Sequence, residues 1–482
     1  MPKIARRTLL AGTPFAAALP QTSGGPMNII HIGVDTWGAH HTGCYGHPEY
    51  KTPNVDALIG KSAMFLDAYP QILPTIPARR AIYTGRQIFP SEKIEQPDDT
   101  VKIRGWHQLF AEDVTISETL QRSGYTTAFV SDLYHQFKPG KNFTRGFDSW
   151  QWIRGQENDR YRTGGRSRID LAKYTHSSQP QQKGRKAQGI FQYLLNRQDW
   201  KKEDDWLSAR VFDTAEDWLD DNVTENQPFY LHIESFSPHE YWDPPEDYYR
   251  LYMKKDYNGA RLIQPPAITN RMSPLEIEHA RALYAGLVSF TDSRIGKFLR
   301  KVHQLGLMRN SIIVFVADHG TMMGEQNQLH KGETRIREQV THVPLAIYHP
   351  RDNWAGRKIK GYVQHIDLMP TLLDLVGIAR PSRVTGESLQ PLLVNGGDSR
   401  RDWIITGWGE HAAIRTPEWT YLTRWSPGPK FEELYDARQD PLELQNVVAS
   451  HAKVAADFRA RVDRYVEEGW AVTRGTFAIH SV

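Results

Sequence analysis

The sequence has little cysteine, no long apolar run and almost no excess of charge. Its 482 residues include one cysteine, Cys44, which excludes an internal disulfide even in an oxidising compartment. No stretch beyond the N-terminal region approaches the roughly 18 apolar residues of a membrane helix, so we expect no stable membrane insertion. The 59 basic and 56 acidic residues give a net charge of +3, which does not favour nucleic acid as a partner. Selectivity for an anion must therefore come from local groups.

The N-terminus is similar to a twin-arginine export signal. Arg6 and Arg7 precede a short, weakly apolar run at residues 11–19 that ends in small residues suited to cleavage. We therefore predict an export signal and lead-in over residues 1–26, and a periplasmic or secreted protein. The alternative is a plain basic tail.

Strand-like and helix-like segments alternate along most of the chain. Four apolar runs, each ending on polar residues, are predicted as buried parallel strands: residues 28–35, 125–130, 228–236 and 311–317. This alternation predicts an α/β fold with a mostly parallel central sheet flanked by helices, and a site at the carboxyl edge. We assign residues 27–378 to this catalytic domain. Residues 379–482 are predicted to form a small C-terminal α+β subdomain with a small sheet and a terminal helix.

One stretch near the N-terminus places a reactive hydroxyl at the start of a predicted helix. Pro77 suits the first helical position, so Thr75 or its neighbour would precede the helix, and Gly85 would end it. Backbone N–H groups at a helix N-terminus favour an anion, and Arg79 and Arg80 lie within the first turn. We therefore expect Thr75 and both arginines to face a tetrahedral oxyanion. The alternative is a capping threonine on a surface helix with solvated arginines.

Acidic and imidazole groups follow two of the predicted strands. Asp35 ends the first strand, while Asp318 and His319 end the fourth. Together with Thr75 they form a candidate site for a divalent cation that also binds a hydroxyl and lowers its pKa. Taken alone, each acid could be an ordinary strand end.

Two further groups are candidates for protonating the leaving oxygen of an ester. His239 follows the third strand, and Lys331 lies in a loop after His319. Arg79 would neutralise the charge that develops in the transition state. Each residue alone also has a structural explanation, since a histidine beside a proline or a solvated lysine is common.

These residues lie in motifs that resemble the sulfatase family of the alkaline phosphatase superfamily. The resemblance runs from about residue 28 to residue 446 and implies an α/β fold with a small C-terminal subdomain. It implies a divalent metal bound by Asp35, Asp318 and His319, with Thr75 at the nucleophile position. The positions of Arg79, His239 and Lys331 match those that bind the ester and assist the leaving group. The main matching motifs are Gly33-Val34-Asp35-Thr36, Thr75-Ile76-Pro77-Ala78-Arg79, Ser237-Pro238-His239, Ala317-Asp318-His319-Gly320 and His330-Lys331-Gly332.

The resemblance also indicates substrate-binding positions and a cofactor. Asp132 and His135 lie where many sulfatases carry a Lys-Trp-His motif, and His330 adjoins Lys331, so these three residues are candidate substrate contacts. Ca²⁺ is the usual metal of the family, although this set of ligands also suits Mn²⁺ or Zn²⁺. Position 36 is Thr where many sulfatases have a second metal-binding Asp.

The nucleophile position departs from the family pattern. Sulfatases usually carry Cys or Ser there, converted to formylglycine, and Thr75 cannot undergo that conversion. A sulfated threonine would need direct attack at sulfur, whereas a phosphorylated threonine is cleared more easily by water.

The sequence therefore predicts a metal-dependent hydrolase of a phosphoester, phosphonate ester or sulfate ester, with a small-molecule or glycan substrate and Thr75 as nucleophile. One alternative is a carbohydrate sulfatase that lacks formylglycine. Another is an inactive protein that binds an anion or glycan. The oligomeric state is left open.

Overall fold

The computed structural model describes residues 26–94, 101–165, 169–179, 185–224, 226–351 and 354–474. The predicted export signal lies outside these residues apart from Pro26. No helix in the described ranges combines the length and the apolar character needed to cross a bilayer.

Fifteen strands are present in the described residues. Their bounds are β1 Asn28–Val34, β2 Ala63–Tyr69, β3 Ile72–Leu73, β4 Thr126–Ser131, β5 Ser149–Trp152, β6 Phe229–Ser235, β7 Ser311–Ala317, β8 Met322–Met323, β9 Leu329–His330, β10 Leu345–Tyr348, β11 Arg357–Gln364, β12 Ile404–Trp408, β13 His411–Arg415, β14 Trp419–Arg424 and β15 Glu432–Asp436.

Eleven α-helices accompany these strands in the same part of the chain. Their bounds are α1 Pro53–Ile59, α2 Thr75–Thr84, α3 Ile116–Arg122, α4 Arg185–Asn196, α5 Leu207–Asn222, α6 Glu246–Arg250, α7 Pro274–Gln304, α8 Glu338–Thr341, α9 Leu368–Leu375, α10 Gln390–Asn395 and α11 Ala452–Arg474.

The central sheet has eight strands in the order β11, β2, β10, β7, β1, β6, β4, β5. Strand β10 is antiparallel to both of its neighbours, and the other pairs are parallel. Strands β1, β6 and β7 are buried along their whole length, which is why their sequences read as continuous apolar runs. The predicted mostly parallel α/β sheet is confirmed, and its four predicted strands correspond to β1, β4, β6 and β7.

Helices cover the sheet in two groups. Helix α7 contacts α1, α5 and α6, while α2 contacts α3 and α9. Helix α7 begins with a capping box, in which Ser273 accepts from the Glu276 N–H and the Glu276 carboxylate accepts from Ser273, with Pro274 at the first position. It ends at Gln304.

A second sheet contains β12 to β15 in antiparallel order, as expected for the C-terminal part of the chain. Its edge strand is β3, which pairs in parallel with β12 through Ile72 opposite Gly407. The Thr406 hydroxyl donates to the Pro70 carbonyl at 2.6 Å. The C-terminal sheet thus holds the segment that leads directly into α2, a contact that the sequence analysis did not predict.

Two local predictions were wrong. Helix α2 begins at Thr75, because the Pro74 carbonyl accepts the first helical hydrogen bond from Ala78 at 3.0 Å. Pro77 is therefore the third helical residue, although the predicted end at Gly85 is confirmed, with φ +61°. The polar segment from about residue 158 to residue 201 has no clear periodicity, which predicts an insertion or a loop over the site. It contains α4, whose Ile190 and Leu194 pack in a small apolar cluster.

Candidate active site

Two adjacent parallel strands bring the predicted acids together. Strands β1 and β7 pair in register, with Val34 opposite Ala317, so the residues that follow them emerge at the same edge of the sheet. Asp35 follows β1 and Asp318 follows β7. The Thr36 N–H donates to Asp318 Oδ1 at 3.0 Å, and the Thr36 hydroxyl donates to Asp35 Oδ1 at 2.6 Å. Thr36 therefore orients both carboxylates.

We call Asp35, Asp318 and His319 the inner cluster. All three are buried, and one ligand atom from each lies within 4.8 Å of the others. His319 Nδ1 lies 2.9 Å from the Gly320 carbonyl, so this nitrogen carries the proton of the neutral ring. Nε2 lies 3.4 Å from Asp318 Oδ2 and has no hydrogen-bond partner among the described residues. Burial, together with Lys331, lowers the pKa of His319 to about 3, so the ring is neutral.

Arg79 binds the inner cluster from one side. Its buried guanidinium forms ion pairs with Asp318 and with Glu234 of β6, and lies 3.0 Å from Asp35 Oδ2. Burial alone would raise the pKa of Glu234, but Arg79 and His232 lower it to about 2. Three buried carboxylates thus share one guanidinium, which gives this group a formal net charge of −2 when all three are ionised. Burial raises the pKa of Asp318, and Arg79 opposes that effect.

Thr75 occupies the first turn of α2 and is 3% exposed. Its carbonyl lies 3.5 Å from the Arg79 guanidinium, so the helix connects this residue to the inner cluster. The next arginine, Arg80, was predicted to face the same anion, and this prediction was wrong. Its guanidinium forms a bidentate pair with buried Asp113, at 2.8 and 3.1 Å, which Arg86 also contacts.

A cavity of about 380 Å³ opens beside Thr75. Its walls include five of the predicted site residues, namely Thr75, His135, His239, His330 and Lys331, together with the aromatic side chains of Trp106 and Trp408.

Asp132 does not line this cavity. It is fully buried and accepts hydrogen bonds from the Phe236 N–H at 2.7 Å and from Gln156 Nε2 at 3.0 Å. Burial raises the pKa of Asp132 to about 7. Its predicted role as a substrate contact has no direct geometric support, and its position is that of a brace for the segment that follows β6.

Glu240 connects the two candidate proton donors, and the sequence analysis missed it. Its carboxylate accepts from Lys331 Nζ at 2.9 Å and lies 2.6 Å from His330 Nδ1 and 3.1 Å from His239 Nδ1. Burial alone would raise the pKa of Glu240, but Lys331 and His239 hold it well below its usual range. Its position directly after His239 was the available signal.

Glu157 is a second missed residue of the cavity wall. It lies 3.1 Å from His135 Nε2 and 3.9 Å from His239 Nδ1. Burial raises its pKa to about 6. Glu157 immediately precedes the polar segment that begins at about residue 158, and it is part of no motif that the sequence analysis used. Glu234 was missed for a different reason, since it lies within an otherwise apolar strand.

Two acids and an imidazole thus lie at the carboxyl edge of a mostly parallel sheet, and the family and sequence matches show an ester hydrolase. Residues 27–378 match the family model described as Sulfatase, and residues 332–468 match N-sulphoglucosamine sulphohydrolase, C-terminal. The first match covers well over half of the chain, so the chain belongs to the sulfatase family.

Individual relatives are distant. An arylsulfatase of Clostridium perfringens is 25% identical over 473 residues, covering 90% of this chain and 92% of that protein. An N-acetylglucosamine-6-O-sulfatase of Bacteroides thetaiotaomicron is 24% identical, with 88% and 84% covered. The crystal structure of a phosphonate monoester hydrolase of Agrobacterium radiobacter aligns with a TM-score of 0.70 and 20% identity, covering 92% and 96%. This structural likeness establishes the shared fold.

Proposed function

We propose that the chain is a metal-dependent hydrolase that cleaves a phosphoester, phosphonate ester or sulfate ester, with Thr75 as its nucleophile. The observation that carries this proposal is the net charge of −2 on the buried group of Asp35, Asp318, Glu234 and Arg79. Buried charge without compensation is costly, so this group favours a bound cation.

The residues of the inner cluster fit one divalent metal ion. They offer two carboxylates and a neutral imidazole whose Nε2 lacks a hydrogen-bond partner in the described part of the chain. The hydrogen bond from Nδ1 to the Gly320 carbonyl fixes the ring in the orientation that metal-binding histidines commonly adopt. Thr75 would be the fourth protein ligand. Carboxylates suit Ca²⁺ and Mn²⁺, and the imidazole also suits Zn²⁺.

In the first step, the Thr75 oxygen attacks the phosphorus or sulfur atom while the bond to the leaving oxygen breaks. The metal, when bound, supplies a Lewis acid that lowers the pKa of the attacking hydroxyl. The N-terminal N–H groups of helix α2 would stabilise the oxyanion. Arg79 would add a positive charge from the inner cluster, where three carboxylates hold its guanidinium. In the second step, water attacks the esterified Thr75, releases the acid product and returns a proton to the threonine oxygen.

Lys331 or His239 protonates the leaving oxygen. Both line the cavity, and both contact Glu240, which holds their nitrogens at fixed positions. The Lys331 amine also donates to the Thr36 hydroxyl at 3.2 Å, which connects it to the inner cluster. His330, whose Nε2 lies 2.8 Å from the Pro265 carbonyl, would orient Glu240 and border the substrate.

A carbohydrate sulfatase is the second candidate function. Trp106 and Trp408 provide aromatic walls that suit a sugar ring, and one relative is named as an N-acetylglucosamine-6-O-sulfatase. The threonine nucleophile favours phosphorus, since an esterified threonine lacks the second hydroxyl through which a formylglycine hydrate releases sulfate. An inactive anion-binding protein is less consistent with a complete set of nucleophile, cluster and proton donors.

Export to the periplasm or exterior remains part of the proposal. It rests on the paired arginines and the apolar run within residues 1–26.

Four nitrophenyl esters test the proposed function: the sulfate, the phosphate monoester, a phosphate diester and a phosphonate ester. We expect metal-dependent turnover of a phosphorus ester that disappears with Thr75→Ala. Sulfate release that survives this substitution would show that water attacks the ester directly and would contradict the role of Thr75. Sulfate release that requires Thr75 would support the second candidate.

A further inference from the structure

A second group of histidines and a carboxylate lies outside the candidate active site. We call His40, Glu338 and His342 the outer cluster. His40 belongs to the short 3-10 helix Ala39–His41, and Glu338 begins α8, which ends just before His342. The Ala39 N–H donates to the His342 carbonyl at 2.9 Å and holds the two segments together.

The three side chains converge on one oxygen atom. Glu338 Oε1 lies 3.0 Å from His342 Nδ1 and 3.9 Å from His40 Nε2. One ligand atom from each residue lies within 4.8 Å of the others. Nitrogen and oxygen ligands about 2.0–2.2 Å from a tetrahedral ion lie roughly 3.3–3.6 Å apart, so small side-chain movements complete such a site.

His342 carries the strongest chemical signal. Its Nε2 lies 2.7 Å from the Leu66 carbonyl, which only accepts, so Nε2 holds a proton. In the neutral ring, Nδ1 then presents a lone pair to a carboxylate oxygen 3.0 Å away. Two acceptors at this distance need a proton or a cation between them. A carbonyl partner on the opposite ring nitrogen is also the usual arrangement around a metal-bound histidine.

His40 supplies a buried nitrogen that makes no hydrogen bond among the described residues. Its Nε2 is shielded from solvent and makes no hydrogen bond within the described residues, although it is directed at Glu338. The ring lies 5.0 Å from that of His47 and 5.7 Å from that of His342. A cation at the centre of the outer cluster would satisfy the free nitrogen.

The outer cluster is partly accessible and carries less negative charge than the inner one. The side chains of His40, Glu338 and His342 are 20%, 17% and 16% exposed, so an ion can enter from solvent. Arg415 pairs with the other Glu338 oxygen at 3.3 Å and with Glu443 at 3.2 Å, which leaves a net charge of −1 on these three groups.

We propose that the outer cluster is a second metal site, distinct from the inner cluster, which binds Zn²⁺ or a similar imidazole-preferring ion. The ligands are His40 Nε2, His342 Nδ1 and Glu338 Oε1, with water in the fourth position. Two imidazoles and one carboxylate select Zn²⁺ over Ca²⁺ or Mg²⁺, which prefer oxygen ligands.

The bound ion would brace the loops that carry the inner cluster. His40 lies five residues after Asp35, and the Gly320 N–H, next to His319, donates to the Val340 carbonyl in α8 at 2.7 Å. Cross-linking His40 to α8 therefore ties the segments after β1 and β7 to each other. The role is structural, since none of the three outer residues lines the cavity beside Thr75.

Zinc stoichiometry of the full-length protein tests this site. The protein is equilibrated with Zn²⁺ at a buffered free concentration, and bound zinc is measured by mass spectrometry for wild type, His40→Gln and His342→Gln. We expect each substitution to reduce the bound zinc by one ion per folded chain. His303→Gln, at an exposed histidine of α7, is the matched control and should leave the count unchanged.

Deuterium exchange at the histidine C2 position tests the same site in the wild-type protein, where misfolding of a variant plays no part. We expect Zn²⁺ to slow exchange at His40 and His342 and not at His303. Unchanged exchange at both outer histidines, or equal zinc counts in wild type and His40→Gln, would overturn the proposal. The His342–Glu338 contact would then be an ion pair closed by a proton.

Discussion

The inner and outer clusters use similar side chains but differ in burial and in net negative charge. In the inner cluster, Asp35 and Asp318 are buried and share Arg79 with Glu234, which gives these four groups a formal charge of −2. In the outer cluster, the carboxylate is partly exposed, and Arg415 neutralises one of the two charges on Glu338 and Glu443.

This difference separates what each cluster can do. A divalent ion in the inner cluster would neutralise buried negative charge. If Thr75 also binds this ion, as we propose, the ion would activate the hydroxyl for attack on the ester. An ion in the outer cluster would satisfy two nitrogens and join two loops, which is a structural role. The five predictions that follow test the contrast, starting with the largest effect.

Replacing the Thr75 hydroxyl should have the largest effect. Thr75→Ala removes the proposed nucleophile, and we expect kcat/KM to fall by at least about 10³-fold. Thr84→Ala, at the other end of the same helix, removes a hydroxyl that donates to the Arg80 carbonyl within the helix and serves as the control. Equal losses in the two variants would show that helix stability, not chemistry, causes the effect.

Metal removal should affect the two clusters differently. Chelation that empties the inner cluster should reduce turnover by at least about 100-fold, because the attacking hydroxyl loses its Lewis acid. Activity should return with Ca²⁺, Mn²⁺ or Zn²⁺ in both wild type and His40→Gln. Full activity after exhaustive chelation, confirmed by metal analysis, would show that the inner cluster needs no metal for catalysis.

Glu240→Gln should lower turnover by roughly 10- to 100-fold. The amide keeps the shape of the side chain but loses the charge that holds Lys331 and His239. We expect a larger loss of kcat with alkyl esters than with nitrophenyl esters, because poor leaving groups depend more on a proton donor. Glu246→Gln, an exposed site, is the control, and an equal loss on both ester types would argue against a role in leaving-group protonation.

Glu234→Gln should reduce the negative charge around the inner cluster to that of the outer cluster. Glu234 has a pKa of about 2 and is ionised at neutral pH, so the substitution changes the local charge from −2 to −1. We expect the Kd for the divalent ion to rise about tenfold, measured by calorimetry, since one charge near a buried ion contributes on the order of 1.4 kcal/mol. An unchanged Kd would show that this carboxylate does not contribute to the cation site.

Asp132 shows what burial does to a carboxylate without a guanidinium. Burial raises its pKa to about 7, whereas Arg79 helps to lower that of Glu234 to about 2. A raised pKa means that the folded state binds the proton more tightly, so this contribution to stability is full below about pH 4 and is lost as the pH rises through about 7. The change is at most about 4 kcal/mol.

Urea unfolding of wild type and Asp132→Asn at about pH 4.5 and 7.5 measures this effect. Other carboxylates titrate too, so the quantity of interest is the difference between the two proteins. Wild type should lose stability relative to Asp132→Asn as the pH rises. A constant difference would mean that the Asp132 pKa is not raised.

Much of the fold was predictable because buried parallel strands leave a direct signal. Strand β7 was predicted at its observed bounds from its β-branched run, and the acids after β1 and β7 were correctly expected at one edge. The start of α2 was not predicted correctly, since two prolines near Thr75 each suit a helix start. Pairing of β3 with the C-terminal sheet joins positions more than 300 residues apart and depends on tertiary contacts.

The candidate site was predictable where a motif carried it. Thr75, His239 and Lys331 were found in this way, and all three line the cavity. Adjacent arginines could not be distinguished, because Arg79 is oriented by carboxylates that follow or lie within three strands, whereas Arg80 is oriented by Asp113 of a separate loop. Glu240 and Glu157 act through contacts with histidines that only the folded chain brings together.

The stereochemical course of the reaction tests the central claim most directly. A phosphate diester whose two free oxygens are different isotopes is hydrolysed by the metal-loaded enzyme in water labelled with the third oxygen isotope, and the configuration of the chiral monoester product is determined. Attack by Thr75 followed by attack of water inverts the centre twice, so the account predicts net retention. Net inversion would mean one direct attack by water, and Thr75 would not be the nucleophile.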